Sequence, residues 1–183
     1  MVPPMGVDTE LRDLRALREA TVREHMSAEN DHEFDRCIAA FGHPRYEIMA
    51  TGEVWDGSDG VKTFLLENKE AFPDFAFEPE DWHHAENAVV VEGRFRGTHD
   101  GSWRGLPATG RKIDFPLIIV FKFEDEKLVC ERTYFDIGTP LQQLGVARDP
   151  NSLGARIATP LNHPVTLSRA LARHVRERRR RPD

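Results

Sequence analysis

The stretch Leu128 to Asp136 carries four side chains of chemical interest at a spacing of two: Cys130, Arg132, Tyr134 and Asp136. In a strand, alternate residues share a face, so these four stand in one row. If that row lines an apolar pocket, burial raises the Asp136 carboxyl toward the range useful for a general base. Such a base removes a proton alpha to a carbonyl, and a neighbouring donor such as Tyr134 stabilises the enolate oxygen. The same aspartate could instead organise the turn before Thr139. His99, in a glycine-rich loop, offers a second proton donor or a hydrogen-bonding brace for that loop. Tyr46 offers a pocket hydroxyl. Trp55, Trp82 and Trp103 fit either a pocket wall or half-buried surface positions.

Several other chemistries are disfavoured. His83 and His84 are adjacent, so a regular strand points their rings to opposite sides and they cannot share a metal. The loop 97–110 lacks the GxGxxG pattern and the lysine of a phosphate cradle, which argues against nucleotides. The two cysteines, Cys37 and Cys130, form no CxxC pair, and are read as buried thiols. No metal and no cofactor are expected.

The elements that must position these residues follow from periodicity. Leu11, Leu14, Leu17, Thr21, Val22 and His25 form a helical stripe, with Asp8 as its N-cap. Phe34, Ile38 and Phe41 give a second, short helix. A short strand holds Tyr46 and Ile48. A third helix buries Val61, Phe64, Leu65 and Phe72 before Pro73. Strands then dominate. Phe75 to Trp82 is one, and Ala88 to Thr98 is another. Ile113, Phe115, Leu117, Ile119, Phe121 and Phe123 alternate without a break. Pro116 inside that run suggests an edge or a bulge. Thr139-Pro140 is expected to start a short helix. Helices followed by hairpin-linked strands predict an α+β fold, a curved antiparallel sheet covered by helices.

Three stretches resemble the SnoaL-like polyketide cyclase family. Gly97-Thr98-His99-Asp100-Gly101, followed by Gly105-Leu106-Pro107-Ala108-Thr109-Gly110-Arg111, resembles its loop motif. Asp136 with Leu141 and Gln143-Leu144-Gly145 resembles its closing motif. His25, Glu29-Asn30 and His32 resemble the polar end of its first helix. The resemblance implies the cone of nuclear transport factor two and ketosteroid isomerase relatives, with an apolar pocket inside. It implies intramolecular aldol ring closure without metal or cofactor, with Asp136 as acid/base. His99, Tyr134, Tyr46, Trp82, Trp103, Arg132 and Phe121 are the accompanying site candidates. The family pairs its aspartate with a histidine on the preceding strand, where ungapped counting here gives Lys122. Alternatives are a non-catalytic binder of hydrophobic ligands, or an isomerase or epoxide hydrolase on the same fold.

The pocket predicts a hydrophobic, flat polycyclic partner. The fold predicts a homodimer. Charge is uneven: residues 146–183 hold nine arginines against three acids, so this segment is +6 and the remainder −12. That split is read as a domain over 1–145 and a Pro/Arg-rich extension over 146–183 with a short helix. An acidic body and a basic end without interleaved aromatics argue against nucleic acid. No apolar run reaches the roughly 20 residues a membrane span needs. A cytoplasmic location is expected.

Overall fold

The computed structural model describes residues 5–149, 152–154 and 164–179. Helices α1 (Met5–Asn30) and α2 (Phe34–Ala39) come first. Strands β1 (Arg45–Ile48) and β2 (Glu53–Asp56) lead into α3 (Gly57–Ala71). Strands β3 (Ala76–His84), β4 (Ala88–Thr98), β5 (Lys112–Glu124) and β6 (Lys127–Tyr134) follow, then α4 (Gly138–Gln143) and α5 (Pro164–Arg179). The chain clusters into two compact units, Met1–Leu144 and Gly145–Asp183.

The first unit is the expected α+β architecture. Its six-stranded sheet runs in the order β2-β1-β6-β5-β4-β3, and β1 pairs with β6 in parallel while the other pairs are antiparallel. The unbroken alternation of β5 explains its place inside the sheet: Ile113, Phe115, Leu117, Ile119, Phe121 and Phe123 are all buried on one face. Helix α1 covers that face only with its second half. Val22, His25 and Met26 are buried, whereas Leu11 and Leu17 are exposed. The stripe read from the sequence therefore outruns the contact. The helix also begins at Met5, ahead of the proposed cap at Asp8. Arg18 ties α1 to two hairpin turns by donating to the carbonyls of Asp125 and Glu86, at 2.8 Å each.

Two irregularities shape the sheet, and neither is at Pro116. Pro116 sits in an inner strand opposite Arg94 of β4, and β6 has already ended at Tyr134, so the missing N–H interrupts no pairing with β6. The first irregularity lies between Pro79 and Asp81 on β3. The second is a bulge in β6: Lys122 pairs with Cys130, but Phe123 pairs with Leu128, leaving Val129 as an extra residue. The bulge shifts the inward phase, so Leu128 faces inward and the next inward residue is Glu131 rather than Cys130.

The second unit contains α5, in which Val165, Leu167 and Leu171 are exposed. The helix of this unit starts at Pro164. The Arg178 to Arg181 side chains lie outside the described residues. Among the described residues, no helix is long and apolar enough to cross a membrane.

Candidate functional site

The phase set by the bulge puts Glu131, Thr133 and Phe135 on the inner face. These three line a cavity of about 100 Å3 between the sheet and the helices. Seven phenylalanines and Trp103 are among its lining residues. Its polar end is built from α1, α2, β1 and β6. On α1, His25 and Glu29 are four residues apart, so they share one face. On the sheet, Tyr46 lies directly beside Glu131 in the parallel β1–β6 register, and Glu131 lies beside Phe121 on β5. The helix lowers His25 onto this row, where its ring meets Phe41 and Phe121 edge-on.

His25 is wholly buried between two acceptors. Its Nδ1 donates to the Cys37 carbonyl at 3.1 Å and its Nε2 donates to Glu131 Oε2 at 3.0 Å. A carbonyl on one side and a carboxylate on the other call for a proton on both nitrogens. Burial alone would lower the His25 pKa, but the hydrogen bonds to Cys37 and Glu131 and the charge of Glu131 outweigh it and leave it well above the usual value. The ring is an imidazolium ion-paired with Glu131.

Glu29 completes the group. Tyr46 donates its hydroxyl to Glu29 Oε2 at 3.1 Å, and His25 Nε2 is 3.6 Å from the same oxygen. The Glu29 side chain keeps 22% of its surface exposed and lines the cavity. Burial, then the charge of Glu131, raises its pKa from 4.5 to about 7, against the lowering effects of His25, Tyr46 and Cys37. Two carboxylates share one imidazolium, so one of them titrates near neutrality. Burial likewise raises the Cys37 thiol, and Tyr46 is held well above the usual phenol value by burial and the nearby negative charges.

His25, Glu29 and Cys37 also bring potential ligand atoms within 4.8 Å of one another. A metal would need a bare nitrogen on His25, and both nitrogens already donate. The donor set therefore fits a hydrogen-bonded acid/base group better than a metal centre.

The neighbouring polar residues of α1 and its exit have structural work. Asn30 pairs with the backbone of Phe77 through both amide atoms, at 2.9 and 2.8 Å. His32 Nε2 donates to the Phe75 carbonyl at 3.1 Å. Together they dock α1 against β3 and so fix the depth of Glu29.

The residues singled out from the sequence are placed differently. Asp136 is outside the cavity, and the expectation that its face lines the pocket is corrected. Its Oδ1 accepts from the Gly138 N–H at 3.0 Å, and its Oδ2 accepts from the Thr139 N–H and hydroxyl at 3.1 and 2.8 Å. It caps α4, and those bonds, the Thr139 hydroxyl first, hold its pKa below the usual carboxylate range. Arg132 and Tyr134 share its outer face: Arg132 donates to Glu47 at 2.6 Å, and Tyr134 lines a shallow outer depression with Ile118 and Pro116.

His99 is also outside the cavity lining. Its Nδ1 accepts from the Thr109 N–H at 3.2 Å, and burial depresses its pKa. It braces the loop 97–110, as does Gly101, where a Cβ would come within 1.9 Å of the Glu70 carbonyl oxygen. Trp82 lies on the helix-covered side of β3 but beyond the cavity lining, under the Arg23 guanidinium of α1 at 3.9 Å. Phe121 is fully buried beneath His25 without reaching the cavity. Tyr46 joins the polar group, and Trp103 lines the cavity. Lys122 sits on the outer side opposite Cys130, so no partner for Asp136 arises there.

Glu131 was not anticipated, because Leu128 and Cys130 suggest even-numbered inward positions and the bulge reverses them. A charged residue between Cys130 and Thr133, flanked by Val129 and Phe135, was the available signal.

The family model for SnoaL-like polyketide cyclase matches residues 19–144. Solved structures share the fold at low identity. AclR of Streptomyces galilaeus, described as "a putative hydroxylase", is 21% identical with a TM-score of 0.66, over 80% of this chain and 96% of that one. A SnoaL-like protein of Jannaschia sp. CCS1 is 20% identical with a TM-score of 0.65, over 73% and 94%. IdmH of Streptomyces antibioticus, described as "a putative polyketide cyclase", is 22% identical with a TM-score of 0.60, over 70% and 99%. No curated relative matches the chain.

Proposed function

The chain belongs to the SnoaL-like polyketide cyclase family, and from that premise we propose that it is a cofactor-independent acid/base enzyme acting on a hydrophobic carbonyl compound. Glu29 is the proton carrier. The observation that carries this reading is a carboxyl at the polar end of an apolar cavity, with its pKa raised to about 7. In its ionised form Glu29 takes a proton from the carbon alpha to the substrate carbonyl. The imidazolium of His25, 3.6 Å away, limits the build-up of negative charge at that end. The Thr133 hydroxyl, held only by a 3.4 Å contact to Glu131, is the lining donor nearest in kind to an enolate partner. When the enolate carbon attacks a second carbonyl of the same molecule, Glu29 returns its proton to the new alkoxide. That sequence is an intramolecular aldol closure.

Proton transfer is testable before the substrate is identified. The expected result is that the wild-type protein accelerates deuterium exchange at the alpha carbon of simple aryl ketones, followed by NMR in heavy water. Glu29→Gln should lower that acceleration by about 100- to 10,000-fold. A wild-type protein that binds such ketones but exchanges no proton would replace the enzyme with a non-catalytic carrier on the same pocket.

Two copies pairing through the outer sheet face, where Ile118, Tyr134 and Met49 are exposed, belong to the same proposal. A monomer mass by light scattering at micromolar concentration would contradict it. A cytoplasmic location also belongs to this proposal.

A further inference from the structure

Trp103 is part of the wall of the inner cavity. Trp103 and Arg104 form the tip of a tight hairpin in which Trp103 and Leu106 exchange backbone hydrogen bonds of 2.9 and 2.8 Å. Arg104 and Gly105 take the left-handed backbone angles of such a turn, with φ of 53° and 79°. The turn is pinned from several sides. The Trp103 ring packs edge-on to Phe72 at 5.6 Å, the Arg104 guanidinium lies 5.5 Å from the same indole, and Arg104 is ion-paired with Glu53.

On the far side of this turn lies a second, more polar groove of about 570 Å3. Phe64, Asn68, Trp103 and Arg104 line both spaces. The inner cavity, which holds Glu29 and Glu131, measures only about 100 Å3. An apolar protein cavity of about 150 Å3 holds a single benzene, so the inner space at rest is smaller than one ring and takes one only as its wall yields, whereas sites for drug-sized ligands run from roughly 300 to 1,000 Å3. Most of the remaining lining residues are phenylalanines and aliphatics on sheet and helix that belong to the core or pack against it. They cannot retreat without opening voids in the core.

We infer that the reacting end of the site accepts no more than one ring, and that Trp103 is the residue that sets this limit. The substrate class is then a carbonyl compound with a single-ring or similarly small apolar head at Glu29. Anything larger must extend past Trp103 into the polar groove. This narrows the flat polycyclic ligand expected from the sequence. It rests on Glu29 being the reacting end, but the ring limit is read by binding alone. A failure of catalysis would therefore leave it standing, and a failure of the limit would leave the catalytic reading standing.

The test is a ring series of aryl methyl ketones: acetophenone, 2-acetylnaphthalene and 2-acetylanthracene. Occupancy is followed through the side-chain methyl NMR signals of Ile113, Leu117 and Ile119, which line the cavity. In the wild-type protein acetophenone should shift these signals. The two-ring ketone should bind at least about tenfold more weakly, and the three-ring ketone not measurably. Trp103→Ala should strengthen two-ring binding at least about tenfold and leave acetophenone within about threefold. Trp103→Phe should fall between, and it decides the matter if Trp103→Ala fails to fold. The inference is overturned if the wild-type protein takes the three-ring ketone as well as the one-ring ketone. It is also overturned if neither Trp103 variant changes the size ranking, or if no ketone reaches these methyls.

Discussion

The two faces of β6 differ by one residue of phase and by everything that matters for chemistry. Glu131, Thr133 and Phe135 point into the cavity, while Arg132, Tyr134 and Asp136 point away from it. Both rows contain a carboxylate, but the inner one meets the α1 pair His25 and Glu29 while the outer one meets only the start of α4. On the inner side burial, and then the charge of Glu131, raise Glu29 to about 7 against the opposing pull of His25. On the outer side Asp136 is held low by the Thr139 hydroxyl and two backbone N–H groups. The aspartate that looks catalytic in the sequence does the work of a helix cap, and an unremarked glutamate one bulge away joins the acid/base group.

The contrast can be broken most forcefully by removing charges from each face. Glu131→Ala strips the buried His25 imidazolium of its nearer carboxylate, leaving only the longer contact to Glu29, and should cost about 3 kcal/mol of stability in denaturant unfolding. Arg132→Ala removes a part-buried pair with Glu47, which keeps Arg45 as a partner, and should cost about 0–1 kcal/mol. Equal losses would mean that the inner cluster carries no special weight.

The pH dependence should be opposite in sign for the two faces. Glu29 binds its proton more tightly when folded, so its contribution is complete below pH 4.5 and declines as pH rises toward about 7. Glu29→Gln should flatten that decline. Asp136, with a lowered pKa, contributes stability above 3.8 that is lost as pH falls through its folded pKa. Asp136→Asn should flatten that acid limb instead. Melting temperatures over pH 3–8 would read both. An unchanged slope in Glu29→Gln would remove the neutral-pH titration from Glu29.

Smaller still is the effect expected at Asp136 itself. Asp136→Ala should lower the melting temperature slightly through the lost cap, and leave alpha-proton exchange within about twofold of wild type. A loss of exchange comparable to that of Glu29→Gln would return the catalytic role to the outer face.

The sequence made the architecture legible because its signals were long and mutually consistent. The alternation of β5, the stripe at the end of α1 and the loop motif around His99 each survive in the structure. The site was half legible. Trp103 lines the cavity, Tyr46 joins the polar group without reaching it, and the spacing of His25 and Glu29 puts those two on one helix face. What periodicity could not carry was phase. A bulge at Val129 leaves no mark on a run of Leu, Val and Cys, yet it decides which side of β6 meets the cavity. Phe121 and Trp82 show the same limit at smaller scale, since an aromatic on a strand reports burial but not what it is buried against.

The central claim is that Glu29 on the inner face titrates near neutrality. Its side-chain carboxyl carbon can be followed by 13C NMR from pH 4 to 9, with Glu29→Gln used to assign the signal. The account predicts a midpoint at about 7 that moves further up in Tyr46→Phe, because the hydroxyl that favours the ionised form is gone. A midpoint near 4.5, unmoved by Tyr46→Phe, would contradict it.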